Sequence, residues 1–259
     1  MTVVASAFIA ACDNALEGIN TQGVWGFVTL SATKNAGTNA HFANAEGLFF
    51  RGNLAAVPNA EFATGDTCFD GVFSEGNNLV GVTYLDAGPS VDATLGGVSR
   101  SLDRTTTTLG LAYRPATPPP YTPGDSIVVN VIGVPGGFPG GAIRAKTAEA
   151  FTFPTDLPIP AGTEAIQLAW TAPQDSRSAM VVSLRYANST TPNVLSRHVL
   201  CTFLDDGVDS IPFRWHQNWS TSAGVRAVVA TRLRTTYVGA GDANLGVVST
   251  YQVPTPPNP

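Results

Sequence analysis

His198 and Cys201 form the pair that first invites chemistry, because an imidazole near a thiol can hold a metal or activate a nucleophile. The run around them, 195–204, reads as a strand, and strand residues three apart point to opposite faces. Val199, Cys201 and Phe203 are therefore expected in a core, with His198 as a surface imidazole. His41 and His216 have no partner of ligand type at a metal spacing. Asp205-Asp206-Gly207-Val208-Asp209 gathers carboxylates of the kind calcium takes, but the EF-hand spacing and its distal Glu are missing. Asp-Gly between two apolar runs makes a tight turn, which is the expectation here. The run Gly133-Val134-Pro135-Gly136-Gly137-Phe138-Pro139-Gly140-Gly141 lacks the Lys and following helix of a phosphate cradle. It is expected to be a loop that leads into a strand. No Gly-x-Ser-x-Gly nucleophile elbow occurs.

One aromatic cluster could touch a ligand. Arg214, Trp215 and Trp219 lie in Phe213-Arg214-Trp215-His216-Gln217-Asn218-Trp219-Ser220, where indoles could stack on a sugar and Asn or Gln could bond its hydroxyls. The same segment also suits a crossover between strands, with its aromatics packed beneath it. Asp66, Asp70 and Glu75 are acids a hydrolase could use, but a glycosidase needs two carboxyl groups facing each other across a cleft. No catalytic set converges in the sequence. A non-enzyme without cofactor or metal is the expectation.

Hydrophobic residues make up 44% and charged residues 13% of the 259, so the chain is too apolar for disorder. Its formal net charge of −5 argues against a nucleic-acid binder. No apolar run approaches the ~20 residues a membrane-spanning helix needs.

Of the three cysteines, Cys12 stands apart. It closes the uncharged, small-residued stretch Thr2-Val3-Val4-Ala5-Ser6-Ala7-Phe8-Ile9-Ala10-Ala11-Cys12, which resembles an export signal, and Ile9-Ala10-Ala11-Cys12 resembles a bacterial lipobox. Lipidation of Cys12 and a membrane anchor are the corresponding expectations, although no Lys or Arg precedes the apolar run. The competing reading is an N-terminal strand or buried segment. Cys68 and Cys201 are 133 residues apart and are expected as two separate buried thiols in different domains.

The elements that must position these groups are strands. Met180, Val182, Leu184 and Tyr186 alternate with Val181, Ser183 and Arg185. Ile166, Leu168 and Trp170 alternate with Gln167 and Ala169, and 225–234 alternates in the same way. Each fits a strand with one buried and one wetter face. Fourteen strands are expected, near 24–32, 42–50, 67–73, 79–86, 90–95, 107–113, 126–132, 142–151, 164–170, 179–187, 195–204, 208–212, 225–235 and 244–253. Helical spacing is nearly absent. The prolines of Phe153-Pro154-Thr155-Asp156-Leu157-Pro158-Ile159-Pro160-Ala161-Gly162 lack a ladder donor and mark a boundary. The expected class is all-β with two tandem antiparallel, Ig-like β-sandwich domains, 21–153 and 154–254. A signal-like segment, 1–20, precedes them and a Pro-rich tail, 255–259, follows.

Glu164 to Trp170, Met180-Val181-Val182-Ser183-Leu184, Cys201 to Gly207 and Ile211-Pro212 form an ordered series. It resembles a C-terminal β-sandwich module of uncharacterised exported proteins and lipoproteins of bacteria such as myxobacteria. Tyr84-Leu85-Asp86-Ala87-Gly88-Pro89 and Gly136-Gly137-Phe138-Pro139-Gly140 resemble the preceding module of those proteins. The resemblance implies a fold and an address, and no catalytic residues. The functional expectation is a non-catalytic exported protein of the cell surface or extracellular space, with structural or binding work. Self-association into an extracellular β-rich assembly and carbohydrate binding are the alternatives.

Overall fold

The computed structural model describes residues 22–35, 41–53, 66–72, 82–107, 110–154 and 156–255. These hold fifteen strands and one helix, so the protein is all-β as expected. The first half contributes β1 (Gln22–Lys34), β2 (His41–Asn53), β3 (Thr67–Val72), β4 (Thr83–Tyr84) and β5 (Ser90–Leu95). It continues through β6 (Val98–Thr107), β7 (Gly110–Arg114), β8 (Ser126–Val131) and β9 (Gly141–Lys146). The second half contributes β10 (Ile166–Ala169), β11 (Ser178–Ala187), β12 (Leu195–Leu204), β13 (Val208–Ile211), α1 (Phe213–Thr221), β14 (Arg226–Ala240) and β15 (Ala243–Pro254).

The main sheet runs β3-β12-β11-β14-β15-β1-β2-β7-β6-β5-β8-β9, with β4 beside β2, while β10 and β13 form a separate pair. Hydrogen bonding crosses the boundary expected at residue 153. β1 lies parallel to β15, with Val28 opposite Val247. Likewise β3 lies antiparallel to β12, with Cys68 opposite Cys201. The described residues of the proline-rich stretch lie outside strands, and Phe153 and Leu157 in it are buried, as is Phe151 just before it.

Alternation decides what each face meets. Val24, Val28, Leu30 and Ala32 of β1 enter the main buried cluster with Phe49, Phe138, Ile127, Met180, Trp170 and Phe203. From the other face of β1, Trp25 stacks on Phe27 at 5.9 Å, and Phe27 on Phe50 at 5.9 Å. Gly26 is what lets the inner rings close in, since a Cβ there would sit 2.6 Å from the Phe49 ring and 2.9 Å from that of Phe138. At the far end of the sheet, β9 packs against β14 and β15.

Several expectations need correction. Cys68 and Cys201 are joined in a disulfide, with Cα atoms 4.0 Å apart. The separate-thiol reading failed because it assigned the two residues to unconnected sheets. His198 does point away from Cys201, but it is buried, because the outer face of this sheet is packed as well. Phe69 meets its ring edge-on at 6.1 Å. Of the strand expected near 79–86, the described residues 82–86 hold β4 at Thr83–Tyr84. β6 went unforeseen because nearly all of its residues are exposed polar ones on both faces, which leaves no alternation to read. The segment 213–221, expected as a crossover between strands, joins β13 to β14 as a helix, which the strand reading did not foresee.

Candidate functional site

Helix α1 begins just after Pro212, whose ring pre-sets a backbone angle compatible with a helix start. His216 anchors it from within. Its Nε2–H donates to the Glu164 carbonyl at 2.9 Å, and Nδ1 meets the Ser220 hydroxyl at 2.8 Å. One turn on, Trp219 is buried, with the Arg226 guanidinium 5.6 Å above its ring. Trp215 is half-buried against the main core, and Arg214 lies 5.6 Å over its ring. Thus the structure places Arg214, Trp215 and Trp219 on one short helix, with two of the three committed to guanidinium-on-indole and core contacts. Cys12 lies outside the described residues.

The C-terminal end of α1 borders a cleft of about 640 Å³, a size that suits a small ligand. Across from the helix stands the connection between β11 and β12. Asn188 shapes that connection: its Oδ1 accepts the backbone N–H groups of Thr190 at 3.0 Å and Thr191 at 2.8 Å, together with both hydroxyls. The helix end is tied to the strand end by Ser222, whose hydroxyl donates to the Ala187 carbonyl at 3.0 Å. Val225 N–H donates to the Pro192 carbonyl at 2.9 Å. Gly224 fits here because a Cβ would lie 2.5 Å from the Pro192 oxygen. The polar lining includes Tyr186, Asn188, Arg197, Asn218, Thr221 and Ser222.

Arg197 is the ionised member of that lining, and its side chain is 40% exposed. Its Nη2 lies 3.5 Å from Asp70 Oδ2, on β3, and the Tyr186 hydroxyl lies 3.5 Å from Asp70 Oδ1. The Tyr186 contact and the Asp70 charge raise the guanidinium pKa further above its ordinary value. The strand that carries Asp70 is the one fixed by the disulfide, so the covalent staple also sets one wall of electrostatics beside the cleft.

The carboxylates of 205–209 are otherwise engaged. Asp205 is buried and accepts from Arg232, from Trp170 Nε1 at 2.7 Å and from Ser178 at 2.7 Å. Asp206 Oδ1 accepts the Val208 N–H at 3.2 Å, while Gly207 takes φ +104° at the turn. Burial first, and then the Asp66 charge, push the Asp209 carboxyl up to about 6. Among the described residues, no group of three or more His, Cys, Asp or Glu side chains could hold a metal ion. The glycine-rich run is a loop, and it plants Phe138 in the core against Phe49 at 4.8 Å.

Sequence reasoning missed the cleft, since its walls come from three separate stretches, 186–192, Arg197 and 218–224. It also missed α1, whose signal was present: Pro212, followed by Trp215 and Trp219 four apart on one helical face. Comparison with known proteins gave no match, either to a family model or to a curated protein.

Proposed function

We propose that this chain is a non-catalytic exported protein of the cell envelope or extracellular space, and that it works by binding. The observation that carries the reading is the Cys68–Cys201 disulfide, because such bonds persist in oxidising compartments and are rare in the cytosol. The lipobox-like Ile9-Ala10-Ala11-Cys12 supports the same address and makes a lipid-modified Cys12 the membrane tether. Acyl chains contribute about 0.8 kcal/mol per buried methylene, so two or more hold a protein at a bilayer. Among the described residues, no helix is long and apolar enough to cross a membrane.

The finer architecture belongs to the same proposal: two sandwiches that share one sheet. In the first, β5 to β9 lie over β14, β15, β1 and β2. That layering is supported by Phe138 on Phe49 and by Gly141 beside Ala240. In the second, β10, β13 and α1 lie over β3, β12 and β11, with Trp170 against Phe203 at 6.3 Å. Carbohydrate binding is the favoured task, because the cleft beside α1 is lined by hydroxyl, amide and guanidinium groups.

The test is fractionation of the native host, with mass spectrometry of the recovered chain. The expected result is protein in the envelope or the medium, beginning at an acylated Cys12 where it is tethered. Recovery in the cytosol, with Cys12 unmodified, overturns the reading.

A further inference from the structure

We propose that the cleft between α1 and the β11–β12 connection binds an acidic saccharide, with Arg197 receiving its carboxylate. The inference rests on the binding reading above. Its ground is the chemistry of the lining: one guanidinium and several neutral hydroxyl and amide groups, with no carboxylate among them.

The planar fork of an arginine matches a carboxylate with two parallel hydrogen bonds. Arg197 has donors to offer, since it carries five N–H groups, while its partners are Asp70 at a long 3.5 Å and the Tyr186 hydroxyl. The neutral groups suit hydroxyl recognition. Thr221 donates its proton to the Gln217 carbonyl at 2.8 Å and Ser222 donates to Ala187, so both oxygens can accept from a ligand hydroxyl. The carbonyl oxygen of Asn188 is taken up by Thr190 and Thr191, which leaves its amide N–H groups as the donors it can supply. Pro192, Ala223 and Gly224 add an apolar stretch that suits the C–H face of a sugar ring.

The charge balance selects a single carboxylate over a phosphate. The C-terminal end of α1 borders the cleft, and a helix C-terminus carries partial negative charge. A dianion would meet that end and Asp70 with one guanidinium to offset them.

Isothermal titration calorimetry on the full oxidised chain tests the assignment, with glucuronate, glucose and a short polyuronate as probes. Glucuronate is expected to bind saturably, glucose at least about tenfold more weakly, and Arg197→Gln to cost at least about tenfold for glucuronate. Arg197→Lys, which keeps the charge without the fork, is expected to fall between. It also serves if the Gln variant does not fold. Tighter binding of the polyuronate, or binding of it alone, supports the inference with a polymer as the source; equal binding supports it with single sugars as the source. Absence of binding by both acidic probes, glucose binding as tightly as glucuronate, or an unchanged affinity in a folded Arg197 variant overturns it. Those failures leave the exported reading standing if the chain is still recovered oxidised outside the cytosol. A reduced cytosolic chain that binds glucuronate has the reverse meaning.

Discussion

One Asp–Arg pair in each half of the molecule makes an instructive contrast, because the two do different work. Asp86 and Arg104 meet at 2.5 Å in the first half, with side chains 34% and 49% exposed. In the second half Asp205 and Arg232 meet at 2.6 Å, with side chains 0% and 1% exposed. An exposed pair exchanges one polar environment for another, while a buried pair must have every hydrogen-bonding group satisfied or lose several kcal/mol. The second pair meets that condition. Arg232 Nη1 donates to the Ala150 carbonyl at 3.2 Å, Nη2 donates to Thr171 at 2.5 Å and to Asp205 at 2.9 Å, and the guanidinium lies 5.1 Å over the Phe151 ring. Its contacts therefore tie β14 to Ala150 and Phe151, just before the proline-rich stretch, and to Thr171, just past β10. In the first half apolar rings fill the corresponding place, with Phe49 meeting both Tyr113 and Phe138. Composition alone does not reveal which aspartate matters. Burial does.

The contrast is broken most sharply at Arg232. Arg232→Met is expected to destabilise the protein by about 3–5 kcal/mol, because it strands the Asp205 carboxylate in the core. Replacing both residues, as Asp205→Leu with Arg232→Met, is expected to cost less than the single change, and urea unfolding of both variants measures the coupling. A single variant with an unchanged midpoint removes the distinction between the two pairs.

The disulfide comes next. Cys68→Ser with Cys201→Ser is expected to cost about 2–5 kcal/mol, since the bond closes a loop of more than a hundred residues in the unfolded chain. Among the described residues β3 has β12 as its one strand neighbour, so hydrogen exchange should quicken first at 67–72. Uniform quickening across the sheet would show that the staple supports more than its own edge.

A smaller effect is expected from pH. The Asp209 carboxyl is held at about 6 in the fold, by burial and then by the Asp66 charge. In the unfolded chain an Asp titrates near 3.9, so between the two values the native state binds the extra proton. Stability from this group is therefore present below about 4 and is lost as pH rises through about 6. The opposite holds for Asp86, whose carboxyl is lowered by the Gly88 N–H, then by Tyr113 and Arg104. Its contribution is present above about 4 and is lost as pH falls below that. Melting temperatures of the parent should fall between pH 5 and 7, and Asp209→Asn should flatten that decline. A parallel decline in the variant would assign it to another group.

The smallest change is expected at the exposed pair itself. Arg104→Ala should cost under about 1 kcal/mol, because solvent and salt screen the ion pair. A loss comparable to that of Arg232→Met would undo the comparison from its other side.

Much of this architecture was legible in the sequence. The phase of Ile166, Leu168 and Trp170 put the indole in the core, and that of Val199, Cys201 and Phe203 did the same for the thiol; both are buried. What was not legible is long-range. Nothing local to Cys68 says that Cys201 lies opposite it, and the parallel pairing of β1 with β15 joins residues more than 200 apart. The expectation of one wetter face on 225–234 also failed for that reason. Arg232 and Arg234 alternate like solvent-facing residues, yet both are buried, because Asp205 and Asp175 arrive from other strands and loops to meet them. For the cleft, Trp215 and Trp219 marked the right helix, while Arg197 sat in the sequence as an ordinary polar residue on a strand.

Disulfide mapping on protein taken directly from its native host tests the central claim most directly. Cells are quenched in acid, free thiols are alkylated, and the digest is read by mass spectrometry. The expected result is a cross-linked peptide pair joining Cys68 to Cys201, recovered from the envelope or the medium. Alkylated, unlinked Cys68 and Cys201 in protein recovered from the cytosol would contradict it.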